Sequence, residues 1–266
     1  MKESRNGLIW ILIFMVGSVH AEPAQPPVKK LPLPGDVLTV AGRTAFLIEA
    51  KVEHGQPKGW VWYAPTLPNL PGPEERWMFE RFTRAGVSIA GVDVGESYGS
   101  PAGRKLFSDL YREMTEKRGF AKKPVLLGRS RGGLMTLSWA ADNPDKVAAF
   151  AGIYPVCSVA SYPGVAKAAS AYGLTGEDLK RRLAEFDPLD RLAPLAKAKV
   201  PLFAIHGDVD TVVPLEANSG LVKTRYQSMG GPMELLVPKG QGHSMWEGFF
   251  RSEELVAFVI QHAKGR

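Results

Sequence analysis

A single cysteine, Cys157, occurs in the 266 residues. One cysteine excludes an internal disulfide and every zinc site built on paired cysteines. It follows the apolar run Ala148 to Val156, which reads as a buried structural thiol. No His-Glu-x-x-His segment is present, and no dinucleotide-type glycine fingerprint follows the first expected strand. Neither a metal nor a cofactor is therefore expected. The formal charge of +6 is spread out rather than gathered in a stripe. Lys117, Arg118, Lys122 and Lys123 form one small cluster; Lys180, Arg181 and Arg182 form another. Both lie on or beside amphipathic stretches, where a solvated face accounts for them, so nucleic acid is not an expected partner.

No apolar run is long enough to span a bilayer comfortably. The run Leu8 to Val16 instead follows Lys2 and Arg5 and precedes Val19-His20-Ala21. A positive start, a short apolar core and small residues where a signal peptidase reads make residues 1–21 a signal peptide, with an uncleaved anchor as the alternative. The expected location is periplasmic or extracellular, with no stable membrane association after cleavage.

What is present suits one globular domain. Apolar residues at 45% supply a full core, and charged residues at 23% are ordinary. The 28 Gly and 21 Pro are scattered, which suits many short loops. Residues 22–36 read as a flexible leader and 37–266 as the domain. Residues 37–53 alternate around Gly42-Arg43, a hairpin signature. Strands are then expected at 60–64, 87–94, 124–127, 147–153, 200–205 and 233–237. Helices are expected at 74–84, 104–117, 131–141, 216–226 and 247–263. This alternation predicts an α/β fold, a mostly parallel central sheet with helices on both faces. Residues 158–198 interrupt the rhythm with about two helical stretches, a small helical insertion that could cap the strand ends.

Gly-x-Ser-x-Gly occurs twice, around Ser97 and around Ser130. A nucleophilic serine needs a sharp turn directly between a strand and a helix. Val125-Leu126-Leu127 runs into the turn at Ser130, and Leu134 to Trp139 runs out of it. Ser97 also follows a strand, but Ser100-Pro101 looks like the cap and first turn of a later helix, which leaves Ser97 in a loop. Ser130 is the expected nucleophile.

A serine hydroxyl needs a base within hydrogen-bond reach, and the base needs an orienting acid. Of five histidines, only His243 sits in a glycine-rich loop just after the last strand. His206 ends a buried strand and reads as structural. The acid should follow the strand before, where Asp208 and Asp210 both lie past the strand end. Spacing alone does not choose between them.

These segments together resemble the α/β-hydrolase superfamily: Gly128-x-Ser130-x-Gly132, then His206-Gly207-x-x-Asp210-x-x-Val213-Pro214, then Gly242-His243. The order nucleophile, acid, histidine is the order of that fold. The resemblance covers about residues 37–263 and assigns the acid to Asp210. It also implies an oxyanion donor at the N–H of Arg131 and a second in the loop after Tyr63-Ala64-Pro65. Pro65 has no N–H, so Thr66 or Leu67 must serve, and Leu67 is expected. Glu96, Tyr98 and Trp246 are candidates for substrate contact, with Trp77 and Tyr154 nearby in the chain's loops and helix starts.

The resemblance implies a serine esterase acting through an acyl-enzyme on a small-molecule or glycan ester, short-acyl or carbohydrate-based. The closer likeness is to secreted single-domain esterases related to the prolyl-oligopeptidase and carbohydrate acetyl-esterase groups. Arg131 after the nucleophile also resembles glucuronoyl esterases, although Gly stands where those have Lys. Two alternatives stay open: a peptidase of prolyl-oligopeptidase type, whose usual propeller is not in this sequence, and a binding protein on a non-catalytic hydrolase fold.

Overall fold

The structure, a computed structural model, describes residues 29–53 and 55–264. The expected signal peptide, residues 22–28 of the expected leader, and His54 lie outside the described residues.

The chain opens with a hairpin, β1 (Asp36–Val40) and β2 (Arg43–Ile48). Ala41 and Gly42 both have positive φ, 48° and 75°, the mirror-image turn that matches strand twist. The turn is therefore Ala41-Gly42, one residue earlier than the pattern suggested. Then follow β3 (Trp60–Ala64), α1 (Arg76–Arg84), β4 (Ser88–Val92), α2 (Pro101–Arg112), β5 (Val125–Arg129), α3 (Arg131–Asp142) and β6 (Ala149–Ile153). The insertion carries α4 (Val165–Ala168), α5 (Gly176–Arg181), α6 (Leu183–Phe186) and α7 (Ala193–Lys197). The chain closes with β7 (Leu202–Ile205), α8 (Ser219–Ser228), β8 (Met233–Leu236), α9 (Glu247–Phe250) and α10 (Glu253–Ala263).

The eight strands form one sheet in the order β1-β2-β4-β3-β5-β6-β7-β8. Pairing is antiparallel from β1 to β4 and parallel from there on. The central parallel strands are buried along their whole length, so they read as continuous apolar runs rather than alternating ones. Strand periodicity sends neighbours to opposite faces. Trp60 and Trp62 of β3 join the core under α2, α3, α7 and α8. Val61 and Tyr63 join the core under α1, α9 and α10. Trp62 is the hub of the first core, with ring centroids 5.5 Å from Trp60, 5.0 Å from Phe107 and 4.8 Å from Trp139. Cutting it to Ala would cost about 3–5 kcal/mol.

The topology fixes where a site can form. From β3 the chain goes to α1 on one face, whereas from β5 it goes to α3 on the other. Since β3 and β5 are neighbours, their carboxyl-end loops part there and open a crevice, the usual ligand position in such sheets.

Three expectations need correction. The last helix is broken: Ser252 caps α10 by accepting from the Leu255 N–H at 3.1 Å, so residues 247–263 form two helices. The insertion holds four short helices rather than about two helical stretches. Its apolar residues Ala168, Leu179 and Phe186 pack with Tyr98, Val156 and Val213 in a third, smaller core. The end of the leader is not free of the domain, since Lys29 is almost wholly buried against the loop after β3.

Candidate active site

Ser130 lies at the point where β5 turns into α3. Its backbone has φ 50° and ψ −124°, a conformation costly for any residue with a side chain. Both of its backbone groups are tied down. The N–H donates to the Ile153 carbonyl at 2.9 Å, and the carbonyl accepts from Val156 at 2.8 Å and Gly133 at 2.9 Å. Glycine is required around it. A β-carbon on Gly128 would overlap Gly133, and one on Gly132 would overlap the Ala64 carbonyl and Pro65. That second contact also shows how closely the loop after β3 approaches the start of α3.

Ser130 Oγ lies 2.9 Å from His243 Nε2, and His243 Nδ1 lies 2.8 Å from Asp210 Oδ2. A carboxylate only accepts, so Nδ1 carries the imidazole proton and Nε2 is left to accept from the serine hydroxyl. Asp210 Oδ1 accepts from the N–H groups of Val212 at 2.9 Å and Val213 at 2.8 Å. These bonds fix the carboxylate in an Asx-type turn. Asp208, the other candidate acid, accepts from the Gly240 N–H at 2.7 Å and approaches Lys239 at 3.6 Å. It ties the histidine loop without touching the histidine.

His206 is fully buried. Its Nε2 donates to the Val213 carbonyl and its Nδ1 accepts from the Ser219 hydroxyl, both at 2.8 Å. Burial lowers its pKa and outweighs the pull of Asp210, so the ring is held neutral behind the acid. Ser97 meets no imidazole. Its hydroxyl is buried against Gly103, without a hydrogen-bond partner among the described residues. Cys157 is buried, and burial pushes its thiol far up.

The N–H of Arg131 is the first of α3, one of the groups a helix leaves without an internal partner. The Leu67 N–H, expected to be the second donor, is already engaged. It goes to the Leu70 carbonyl at 3.2 Å, closing the turn around Pro68-Asn69. The Thr66 N–H has no acceptor among the described residues. Of the two candidates, Leu67 has its N–H engaged in this turn and Thr66 does not, a difference that the spacing of residues did not reveal.

Side chains around the crevice differ in character. Arg131 Nε lies 3.0 Å from the Glu96 carboxylate without pointing at it. Tyr98 is buried and packs with the insertion, and its carbonyl accepts from the Tyr172 hydroxyl at 2.6 Å. It is thus a strut rather than an exposed contact. Trp246 is exposed and stands edge-on to Phe249. Val209, Val212 and Met245 are also exposed, so large apolar side chains flank both Asp210 and His243. Trp77 is covered by Arg81, whose guanidinium lies 4.0 Å from the ring. Tyr154 lies directly against His243.

Arg129 turns away from the acid loop. Its Nη1 donates to Glu75 Oε1 at 2.6 Å, an oxygen that also accepts from the Tyr63 hydroxyl at 2.7 Å. Glu75 Oε2 accepts from the Gly72 N–H at 2.8 Å. The pair is nearly solvent-free and joins the strand behind the nucleophile to the start of α1.

A model of the prolyl oligopeptidase family matches residues 107–265. No curated protein matches the chain. Among solved structures, Mycobacterium tuberculosis MPT51 is similar with a TM-score of 0.68 at 14% identity, over 86% of this chain and 99% of that one. A Mycobacterium tuberculosis puromycin-hydrolyzing peptidase gives 0.67 at 17% identity, over 86% of this chain and 40% of that one. Pyrococcus horikoshii acylaminoacyl peptidase gives 0.67 at 15% identity, over 88% and 42%. The chain thus spans about two fifths of either peptidase. At these identities the likeness shows the fold, which is that of the α/β-hydrolases.

Proposed function

The chain is a serine hydrolase of the prolyl oligopeptidase family, and from that premise we propose that it cleaves carboxylic esters through Ser130, His243 and Asp210. The observation that carries the proposal is the unbroken chain of hydrogen bonds from Ser130 Oγ through His243 to Asp210 at the crevice between β3 and β5. Ser130 Oγ attacks the ester carbonyl while His243 Nε2 takes its proton. The N–H groups of Arg131 and Thr66 receive the oxyanion. His243 then returns the proton to the leaving alkoxide, which departs as the alcohol. A water, deprotonated by His243, releases the acid and restores Ser130. Asp210 stays ionised throughout and stabilises the imidazolium.

The substrate we propose is a short-acyl ester of a carbohydrate or similarly polar alcohol. The exposed surface of the insertion supports this. Its Leu179 and Phe186 face the core, while Glu177, Lys180, Arg181, Arg182 and Glu185 are exposed. A lid for lipid surfaces would present the reverse. Arg131 and Glu96 give the crevice a polar side, and Val209, Val212, Met245 and Trp246 give it an apolar one. We also propose export to the periplasm or beyond, on the strength of residues 1–21. Among the described residues no helix is long and apolar enough to cross a membrane.

Peptide hydrolysis is the second reading, favoured by the family match and by the two peptidases named above. A chain-length series of aryl esters, acetylated and uronate-esterified sugars, and peptide anilides separates the two. Highest activity from acetyl to butyryl, together with turnover of a sugar ester, is expected. A maximum on long-chain emulsions, or faster anilide than ester cleavage, would overturn the substrate reading and leave the Ser130 chemistry standing.

A further inference from the structure

Lys29 lies ahead of the sheet, yet its side chain reaches the loop after β3. Its ammonium donates to the Leu67 carbonyl at 2.6 Å and to the Leu70 carbonyl at 2.5 Å. The same two carbonyls accept the N–H groups of Leu70 at 3.0 Å and Leu67 at 3.2 Å. The ammonium therefore bridges both ends of the turn whose tip is Pro68-Asn69. Thr66, with the N–H that the turn leaves free, is the residue immediately before.

Burying an ammonium is expensive unless it is well partnered. The turn is already closed by its own two backbone bonds, so closing it does not require a charge. What the charge adds is a hold on the direction of both carbonyls. That hold keeps the Leu67 N–H committed to Leu70 and fixes the peptide planes that lead back to Thr66. The Phe46 ring, 5.8 Å from Nζ, lies along the same path.

We propose that Lys29 is a positioning residue: by clamping the Leu67 and Leu70 carbonyls it holds the loop after β3 so that Thr66, rather than Leu67, presents its N–H to the oxyanion formed at Ser130. The proposal rests on the serine-hydrolase reading of the crevice. It makes a segment ahead of the catalytic sheet part of the active site.

Burial lowers Lys29 to about 8, and Asp93 is the charged group that opposes this shift. The clamp is cationic below that pH and neutral above it. The unfolded lysine keeps its proton to about 10.5. Between those values the unfolded chain binds the proton more tightly, so this group makes the fold more stable as pH rises. Relative to Lys29→Met, the wild type should therefore gain stability across that window while it loses activity, which a purely structural lysine would not produce.

The test compares the wild-type full chain with Lys29→Met, which keeps the length of the stem and removes the charge. Esterase kinetics on p-nitrophenyl acetate and thermal unfolding are measured from pH 6 to 10, with Ser130→Ala as a control. Losing one oxyanion donor outright costs about 100- to 1000-fold in kcat. Loosening one should lower kcat by about tenfold, with KM nearly unchanged and fluorophosphonate labelling retained. In the wild type, kcat should fall as pH passes about 8 while Tm measured against Lys29→Met rises; in Lys29→Met the fall in kcat should vanish. Wild-type kcat and pH profile in Lys29→Met would overturn the clamp, and so would a kcat loss matched by an equal rise in KM. Activity surviving in Ser130→Ala would instead overturn the reading on which the clamp rests.

Discussion

The ring of Tyr154 packs 4.3 Å from the ring of His243, and the Tyr154 hydroxyl is buried without a hydrogen-bond partner among the described residues. Tyr154 also has a positive φ of 35°, so strain and an unpaired hydroxyl fall on the residue that touches the proposed base. Burial pushes its phenol up to about 12, although the nearby Arg129 guanidinium pulls the other way. The hydroxyl therefore stays protonated through the working range. The ring should matter and the hydroxyl should not. Tyr154→Phe should keep kcat within about twofold and gain up to about 1 kcal/mol of stability in urea unfolding. Tyr154→Ala should lower kcat well beyond that, because the imidazole loses its support.

Asp210→Asn should lower kcat by about 10⁴-fold with the fold intact. An asparagine oxygen can still accept from Val212 and Val213. Its amide then faces the Nδ1–H of His243, donor against donor, and drives the ring into the other tautomer. Asp208→Asn should cost less than about tenfold, since it ties the histidine loop through the Gly240 N–H without touching the imidazole, and an asparagine oxygen can still accept that bond. Equal losses in the two variants, measured on correctly folded protein, would show the acid to be misassigned.

The Glu75–Arg129 pair makes a prediction about stability. Arg129→Met leaves Glu75 buried with only the Tyr63 hydroxyl and the Gly72 N–H. The expected loss is about 3–5 kcal/mol. Arg129→Met with Glu75→Leu should recover much of it, because no uncompensated charge remains. Urea unfolding of the single and double variants checks this. A double variant as unstable as the single one would mean that the pair stabilises through more than its charges.

His206 sets part of the acid limit. Its folded pKa lies below the unfolded value of 6.5 because burial disfavours the charged ring. The stability tied to its neutral form is complete above 6.5 and is lost as pH falls below that value through the lowered pKa. His206→Gln, which can still donate toward Val213, should show a shallower loss of Tm between pH 6.5 and 5. An unchanged slope would place the acid sensitivity elsewhere.

The nucleophile turn and the sheet were legible because their signals are local. A strand running directly into Gly-x-Ser-x-Gly and out into a helix has few other solutions, and the continuous apolar runs from 60–64 to 202–205 mark buried parallel strands. Asp210 was named by resemblance, since the sequence places two aspartates equally well past the strand end. What separates them physically is the contact with His243 Nδ1, which Asp210 makes and Asp208 does not, with the turn at Val212-Val213 fixing the Asp210 carboxylate for it. Other features depend on groups distant in sequence. Nothing near Lys29 signals that its ammonium meets carbonyls 38 and 41 residues away. The commitment of the Leu67 N–H to Leu70 is a property of the turn, and Arg129 pairs with a glutamate 54 residues earlier. The apolar spacing of 247–263 concealed the break at Ser252, because a capping serine and two glutamates are equally at home on a helix surface.

The most direct test of the Ser130 assignment is covalent labelling by a fluorophosphonate, read by peptide mass mapping in the wild type, Ser130→Ala and Ser97→Ala. The account predicts one adduct on the peptide bearing Ser130, lost along with esterase activity in Ser130→Ala and kept in Ser97→Ala. An adduct on Ser97, or labelling that persists in Ser130→Ala, would contradict it.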